Sequence, residues 1–94
     1  MDLIISKTIP VLQKYHIKKA SLFGSYARGE ETVDSDVDIL IEPPAKMTLF
    51  GLAGVKLDLE KILGKQVDVI TYNSIHSLLK KYILPGQKIF YEER

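Results

Sequence analysis

Apolar and polar positions alternate most clearly in Asp36-Val-Asp-Ile-Leu-Ile-Glu42, where Val37, Ile39 and Ile41 share one face and Asp36, Asp38 and Leu40 the other. That period of two predicts a strand with one side on a core, and Pro43-Pro44 stops it. The period then lengthens. Leu49, Leu52, Val55, Leu59, Ile62 and Leu63 recur at helical spacing and predict an amphipathic helix over 49–63, ended by Gly64. Gly51 and Gly54 weaken this helix and point to close backbone packing. Upstream, Leu3, Ile5, Ile9 and Leu12 predict a helix from Asp2 to Tyr15, across which Pro10 threatens a kink. Lys18–Phe23 reads as a short strand broken by Gly24, Gln66–Thr71 as a third strand, and Lys88–Tyr91 as a terminal one. Asn73 or Ser74 is placed to cap a short helix through Lys81. Helix, strand, strand, helix, strand, helix, strand is the order of an α/β or α+β domain, a small sheet of about four strands flanked by helices.

Composition narrows the classes. Ninety-four residues, 46% hydrophobic and 27% charged, describe one globular domain over 1–94 and exclude disorder. No apolar run approaches the ~18 residues of a membrane helix, and no secretory signal is read at the start, so the expectation is a cytoplasmic protein. With no cysteine there is neither a disulfide nor a thiolate nucleophile. A net charge of +1 argues against stable nucleic-acid binding. The charge is uneven, however. Between Gly24 and Glu42 the single cation Arg28 faces Glu30, Glu31, Asp34, Asp36, Asp38 and Glu42, whereas His76–Tyr91 holds Lys80, Lys81 and Lys88 and no acid. Such a cluster of acids is either a solvated loop or a cation site.

Three features at strand ends carry candidate chemistry. Gly24-Ser25-Tyr26-Ala27-Arg28-Gly29 is a strand-to-turn transition whose backbone N–H groups, Ser25 hydroxyl and Arg28 guanidinium suit phosphate oxygens, although a Gly-Ser turn is also a common structural element. It lacks the Gly-Lys-Ser/Thr ending of a P-loop. Asp36 and Asp38, two apart on a strand, aim at one spot and repel unless a cation such as Mg²⁺ lies between them; the alternative is a solvated strand edge. Asp68 sits between Val67 and Val69, where burial calls either for a lysine partner or for membership of the same carboxylate cluster. If its strand lies beside Asp36–Ile41, three carboxylates would hold two ions and Asp68 would serve as general base. The remaining polar and aromatic residues read more plainly. His16 and His76 are surface residues, Tyr72, Tyr82, Phe90 and Tyr91 are core or rim aromatics, and Tyr26 beside the turn is a candidate to stack on a base.

Gly24-Ser25-Tyr26-Ala27-Arg28-Gly29 followed by Ser35-Asp36-Val37-Asp38 and a carboxylate on a later strand resembles the signature of the polymerase-β-type nucleotidyltransferase superfamily. The length makes it similar to the minimal nucleotidyltransferases, the MNT antitoxins paired with HEPN-domain toxins. The resemblance covers nearly the whole chain and implies a polymerase-β-type nucleotidyltransferase core. It also implies roles: Gly24 and Ser25 on the nucleotide's terminal phosphates, Arg28 on phosphate or partner, and Asp36, Asp38 and Asp68 on two Mg²⁺. The implied reaction is transfer of AMP from ATP to a hydroxyl, a tyrosine of the cognate HEPN toxin, which silences it within a hetero-oligomer. Two other readings stay beside it: an antitoxin that neutralises by binding alone, and a transferase for small molecules such as aminoglycosides. The short chain, without an acceptor-binding domain, argues against the latter.

Overall fold

The computed structural model describes residues 2–32, 34–75, 80–81 and 84–93. Helix α1 (Asp2–Lys14) continues through Pro10. The lost backbone donor is offset by packing, because Val11 and Leu12 in the same turn are buried. Its C-terminus closes with a 2.9 Å bond from the Ile17 N–H to the Leu12 carbonyl and a 3.1 Å bond from the His16 N–H to the Gln13 carbonyl. This is a Schellman arrangement with His16, at φ 58°, in the left-handed position that glycine usually takes. Ile17 follows, fully buried, and turns the chain into strand β1 (Lys19–Phe23).

A single helical turn, α2 (Gly24–Arg28), leads across the acidic loop to β2 (Val37–Glu42). Helix α3 (Leu49–Leu63) is capped by Thr48, whose hydroxyl accepts from the Gly51 N–H at 3.3 Å, and by Gly64 at φ 67°. Strand β3 (Val67–Thr71), 3₁₀ turns at Tyr72–Ser74 and Leu84–Gly86, and β4 (Lys88–Glu92) complete the chain. The expected short helix after Ser74 falls largely on residues 76–79, outside the described residues.

The sheet order is β3-β2-β1-β4. β1 is antiparallel to both β2 and β4, while β2 and β3 are parallel and joined by α3, since parallel neighbours need a crossover. One sheet face, with Ala20, Leu22, Val37, Ile39, Ile41 and Val67, packs against Leu12, Val55 and Leu59 of the helices. On the opposite face Leu40 and Ser21 are also fully buried. The Ser21 hydroxyl donates to Gln87 Oε1 and shares a hydrogen bond with the Tyr72 hydroxyl, both at 2.8 Å, and Tyr72 donates to Gln87 at 2.6 Å. These bonds tie the segment after β3 and the segment before β4 to the middle of β1. Tyr72 is thus half-buried in a polar triangle rather than a purely apolar rim position.

Two positions of the expected α3 stripe lie outside it. Leu49 is 83% and Ile62 42% exposed, whereas Val55 and Leu59 are fully buried. The contact stripe runs through Leu52, Val55, Leu59 and Leu63; Leu49 and Ile62 sit on its flanks, about 70° to either side at 3.6 residues per turn.

Candidate active site

The site is built where β1 ends and β2 and β3 begin. In the β1–β2 ladder Phe23 pairs with Asp38, and in the parallel β2–β3 ladder Asp38 pairs with Asp68. Paired residues on adjacent strands share a face, so both carboxylates stand on the side opposite the helices. The chain reaches Gly24 directly after Phe23 and turns sharply there, at φ 69°. A Cβ at Gly24 would run into Asp38 Oδ2, so the turn lies against the carboxylate because residue 24 has no side chain. Gly24 of the expected phosphate turn and Asp38 of the expected acidic pair are thus neighbours in space.

Burial, a hydrogen bond with Asp68 and the charges of Asp68 and Asp36 push the Asp38 carboxyl up to about 6, with Arg28 opposing the rise. The Arg28 guanidinium is therefore close enough to act on Asp38, and its Nε donates to Glu30 Oε1 at 3.2 Å. Asp36 precedes β2 and is exposed. Asp68 is exposed as well. The burial that its apolar neighbours suggested does not occur, because Val67 and Val69 turn to the helix side while Asp68 turns away. Among the described residues the ion pairs are Lys14–Asp58 and Arg28–Glu30, so the lysine partner considered for Asp68 is not among them.

The donor set suits a hard divalent cation. Two carboxylates in one register position, one of them driven toward its protonated form by burial and by the other, form a pair short of positive charge, which Mg²⁺ with oxygen ligands would supply. Among the described residues no three acidic or histidine side chains are already gathered as a metal cage. The centre is the Asp38–Asp68 pair, with Asp36 beside it. The Ser25 side chain lies outside the described residues.

The candidate base-stacking residue Tyr26 is 4% exposed and belongs to the core cluster, so its ring is not offered to a ligand. A helical turn carries residue 26 round into the core, away from the pocket that its place in the sequence suggested. Lys80, Lys81 and Lys88 are exposed, and His76 lies outside the described residues. The sequence reading missed the Ser21–Tyr72–Gln87 triangle. Ser21 is 51 and 66 residues from its two partners, and no local spacing signals the association.

The family described as Nucleotidyltransferase domain matches residues 5–91. A Methanocaldococcus jannaschii protein provisionally assigned as a protein adenylyltransferase is 55% identical over 78 residues, covering 83% of this chain and 84% of its own. The protein adenylyltransferase MntA of Thermococcus cleftensis is 35% identical over 72 residues, covering 77% and 73%. Among solved structures, a toxin–antitoxin crystal structure with AMP-PNP superposes at a TM-score of 0.82, with 22% identity over 96% of this chain and 74% of that one. The Shewanella oneidensis complex of a tri-AMPylated HEPN toxin with its MNT antitoxin gives 0.76, with 20% identity over 98% and 72%. At those identities the likeness is one of fold. No helix among the described residues is long and apolar enough to cross a membrane. With a family match over nearly its whole length and an acidic pair seated against a glycine turn, the chain belongs to the nucleotidyltransferase domain family.

Proposed function

We propose that the chain transfers AMP from ATP to a tyrosine hydroxyl of a cognate HEPN-type toxin, and so neutralises it. The observation that carries this reading is the register that sets Asp38 opposite Asp68 with the Gly24 turn packed on Asp38. Phosphoryl transfer needs charge neutralisation and positioning more than covalent help from the protein. The backbone of the Gly24–Ser25 turn holds the terminal phosphates, and Arg28 exchanges its exposed contact with Glu30 for a phosphate oxygen. Asp36, Asp38 and Asp68 are the residues that would hold two Mg²⁺ ions, whose charge would offset that developing on the phosphoryl group and on the leaving pyrophosphate. Asp68, the outermost carboxylate of the row, takes the proton of the incoming hydroxyl. That oxygen bonds to the α-phosphorus as the bond from the α-phosphorus to the oxygen bridging it to the β-phosphorus breaks. Pyrophosphate leaves with the electron pair. Because ATP is the donor, the reaction belongs in the cytoplasm.

The testing experiment is intact mass spectrometry of the cognate toxin after incubation with this chain, ATP and Mg²⁺. A gain of about 329 Da per event is AMP added with loss of water. The gain should vanish with Asp38→Asn. A tight complex with unchanged toxin mass would leave a binding antitoxin and overturn the enzymatic reading.

A further inference from the structure

Strand β3 is an edge of the sheet. The Val37 N–H donates to the Gln66 carbonyl at 3.0 Å, with Val37 in register with Val67. In a parallel ladder this phase directs the backbone groups of Asp68 and Ile70 toward β2 and those of Val67, Val69 and Thr71 outward. The outward groups are not treated alike. The Val67 N–H, at the start, donates to Glu60 Oε2 at 3.1 Å, and the Thr71 carbonyl, at the end, accepts from the Ser74 hydroxyl at 2.9 Å. Between these two caps the Val67 carbonyl, the Val69 N–H and carbonyl and the Thr71 N–H have no hydrogen-bond partner among the described residues. The chain closes both ends of its edge with its own side chains and leaves four consecutive groups as a template for another strand.

The place of this opening matters because of what lies across the sheet. From β1 outward the order is the Gly24 turn, Asp38 on β2, Asp68 on β3 and then the open edge. Attacking and leaving oxygens must lie on opposite sides of the transferred phosphorus. With the terminal phosphates at the Gly24 turn, the hydroxyl comes from the side of β3. A strand added there lies about 4.8 Å from β3, and its residue opposite Asp68 projects from the same face as that carboxylate.

We propose that the acceptor protein docks by β-augmentation on β3, an extended segment joining the sheet as a fifth strand through Val67, Val69 and Thr71 and so presenting its hydroxyl to Asp68. The inference rests on the transfer reading above. It adds to it the surface, the conformation of the acceptor segment and the backbone groups that hold it. One segment of about five residues fills the opening and makes four backbone hydrogen bonds.

Amide hydrogen exchange followed by NMR, for the chain alone and in complex with its cognate HEPN-type toxin, is the test. The Val69 and Thr71 amides should exchange freely in the chain alone and slow at least tenfold in the complex, while Asp68 and Ile70, already bonded to β2, stay unchanged. Thr71→Pro is the matching variant, since φ −87° at Thr71 is close to what proline requires and the N–H it removes points outward. It should keep ATP affinity within twofold and lose AMP transfer to the toxin by tenfold or more. Unchanged exchange at Val69 and Thr71 in a formed complex, or wild-type transfer by Thr71→Pro, overturns the docking. So does protection that grows with the concentration of the chain alone, which would assign the edge to a second copy. Protected amides without any AMP transfer support the docking and remove the enzymatic reading; transfer by the wild-type chain with an unprotected edge does the reverse.

Discussion

Gly24→Ala tests the seat of the phosphate turn, and Gly64→Ala is its internal control. Both glycines are left-handed, at φ 69° and 67°, so alanine carries a similar backbone penalty at each, about 1–2 kcal/mol. The surroundings differ. At Gly64 a new methyl meets nothing within 4 Å, whereas at Gly24 it meets the Asp38 carboxylate. The methyl cannot be accommodated unless Asp38 swings away or the turn lifts off it. A displacement of about 1 Å at a reacting centre costs on the order of 100-fold in rate. Urea or thermal melts should therefore show two comparable losses of stability, each kcal/mol worth about 4–8 °C in Tm for a domain of this size. AMP transfer, followed by toxin mass or by pyrophosphate release, should fall about 100-fold for Gly24→Ala and stay within threefold for Gly64→Ala. Equal activity in the two variants would refute the argument that the turn is pressed on Asp38 for catalysis.

In chelator-treated protein, Asp38→Asn should raise stability above pH 7. The carboxyl titrates near 6 in the folded chain against an ordinary 3.8, so the native state binds more protons between those values and stability falls as pH climbs through that window. About two units correspond to roughly 3 kcal/mol, which screening at this half-buried position reduces to about 1 kcal/mol. The difference between variant and wild type, measured in melts at pH 4 and 7.5, should therefore grow with pH, and a constant difference would contradict the cause assigned. Ser21→Ala should cost about 1 kcal/mol in chemical denaturation, and in a double-mutant cycle with Tyr72→Phe the losses should fail to add, because Tyr72 and Gln87 bond to each other as well as to Ser21. His16→Gly should raise Tm, by up to about 1 kcal/mol of stability, through relief of the left-handed strain at the end of α1; a lower Tm would show that the imidazole makes up for it.

Local signals announced most of the elements and few of their partners. The alternation over Val37–Glu42 and the stop at Gly64 were legible because the period of two and the left-handed cap are each set within a few residues. Asp36 and Asp38 could be singled out for the same reason, being two apart, although the carboxylate that stands in register with Asp38 is Asp68. That Asp68 stands beside Asp38 depends on α3 returning the chain parallel to β2 in a register that no short window contains. Its exposure could not be read from Val67 and Val69 either: flanking apolar residues on a strand report the opposite face from the residue between them. Tyr26 failed for the helical counterpart of that reason, because neighbours within one turn are neighbours in sequence but face different environments.

The edge of β3 shows most plainly what topology adds. As a sequence, Val67–Thr71 is a short strand with one charge, and it would read identically in the centre of a sheet or at its margin. Its margin position follows only from the order β3-β2-β1-β4, and the value of that position only from where the carboxylates fall within the order. Glu60 and Ser74 would pass for surface polar residues in any reading of the chain. Their bonds to the first outward N–H and the last outward carbonyl give them a shared purpose, which is to bound an opening. An unguarded edge invites pairing by any extended chain, and proteins commonly suppress it with charges, prolines or bulges. Here the only charge within the strand is Asp68, which stands in register with Asp38 on the face opposite the helices and leaves the outward groups unobstructed. A backbone template at this edge holds a protein acceptor with groups that every residue already carries.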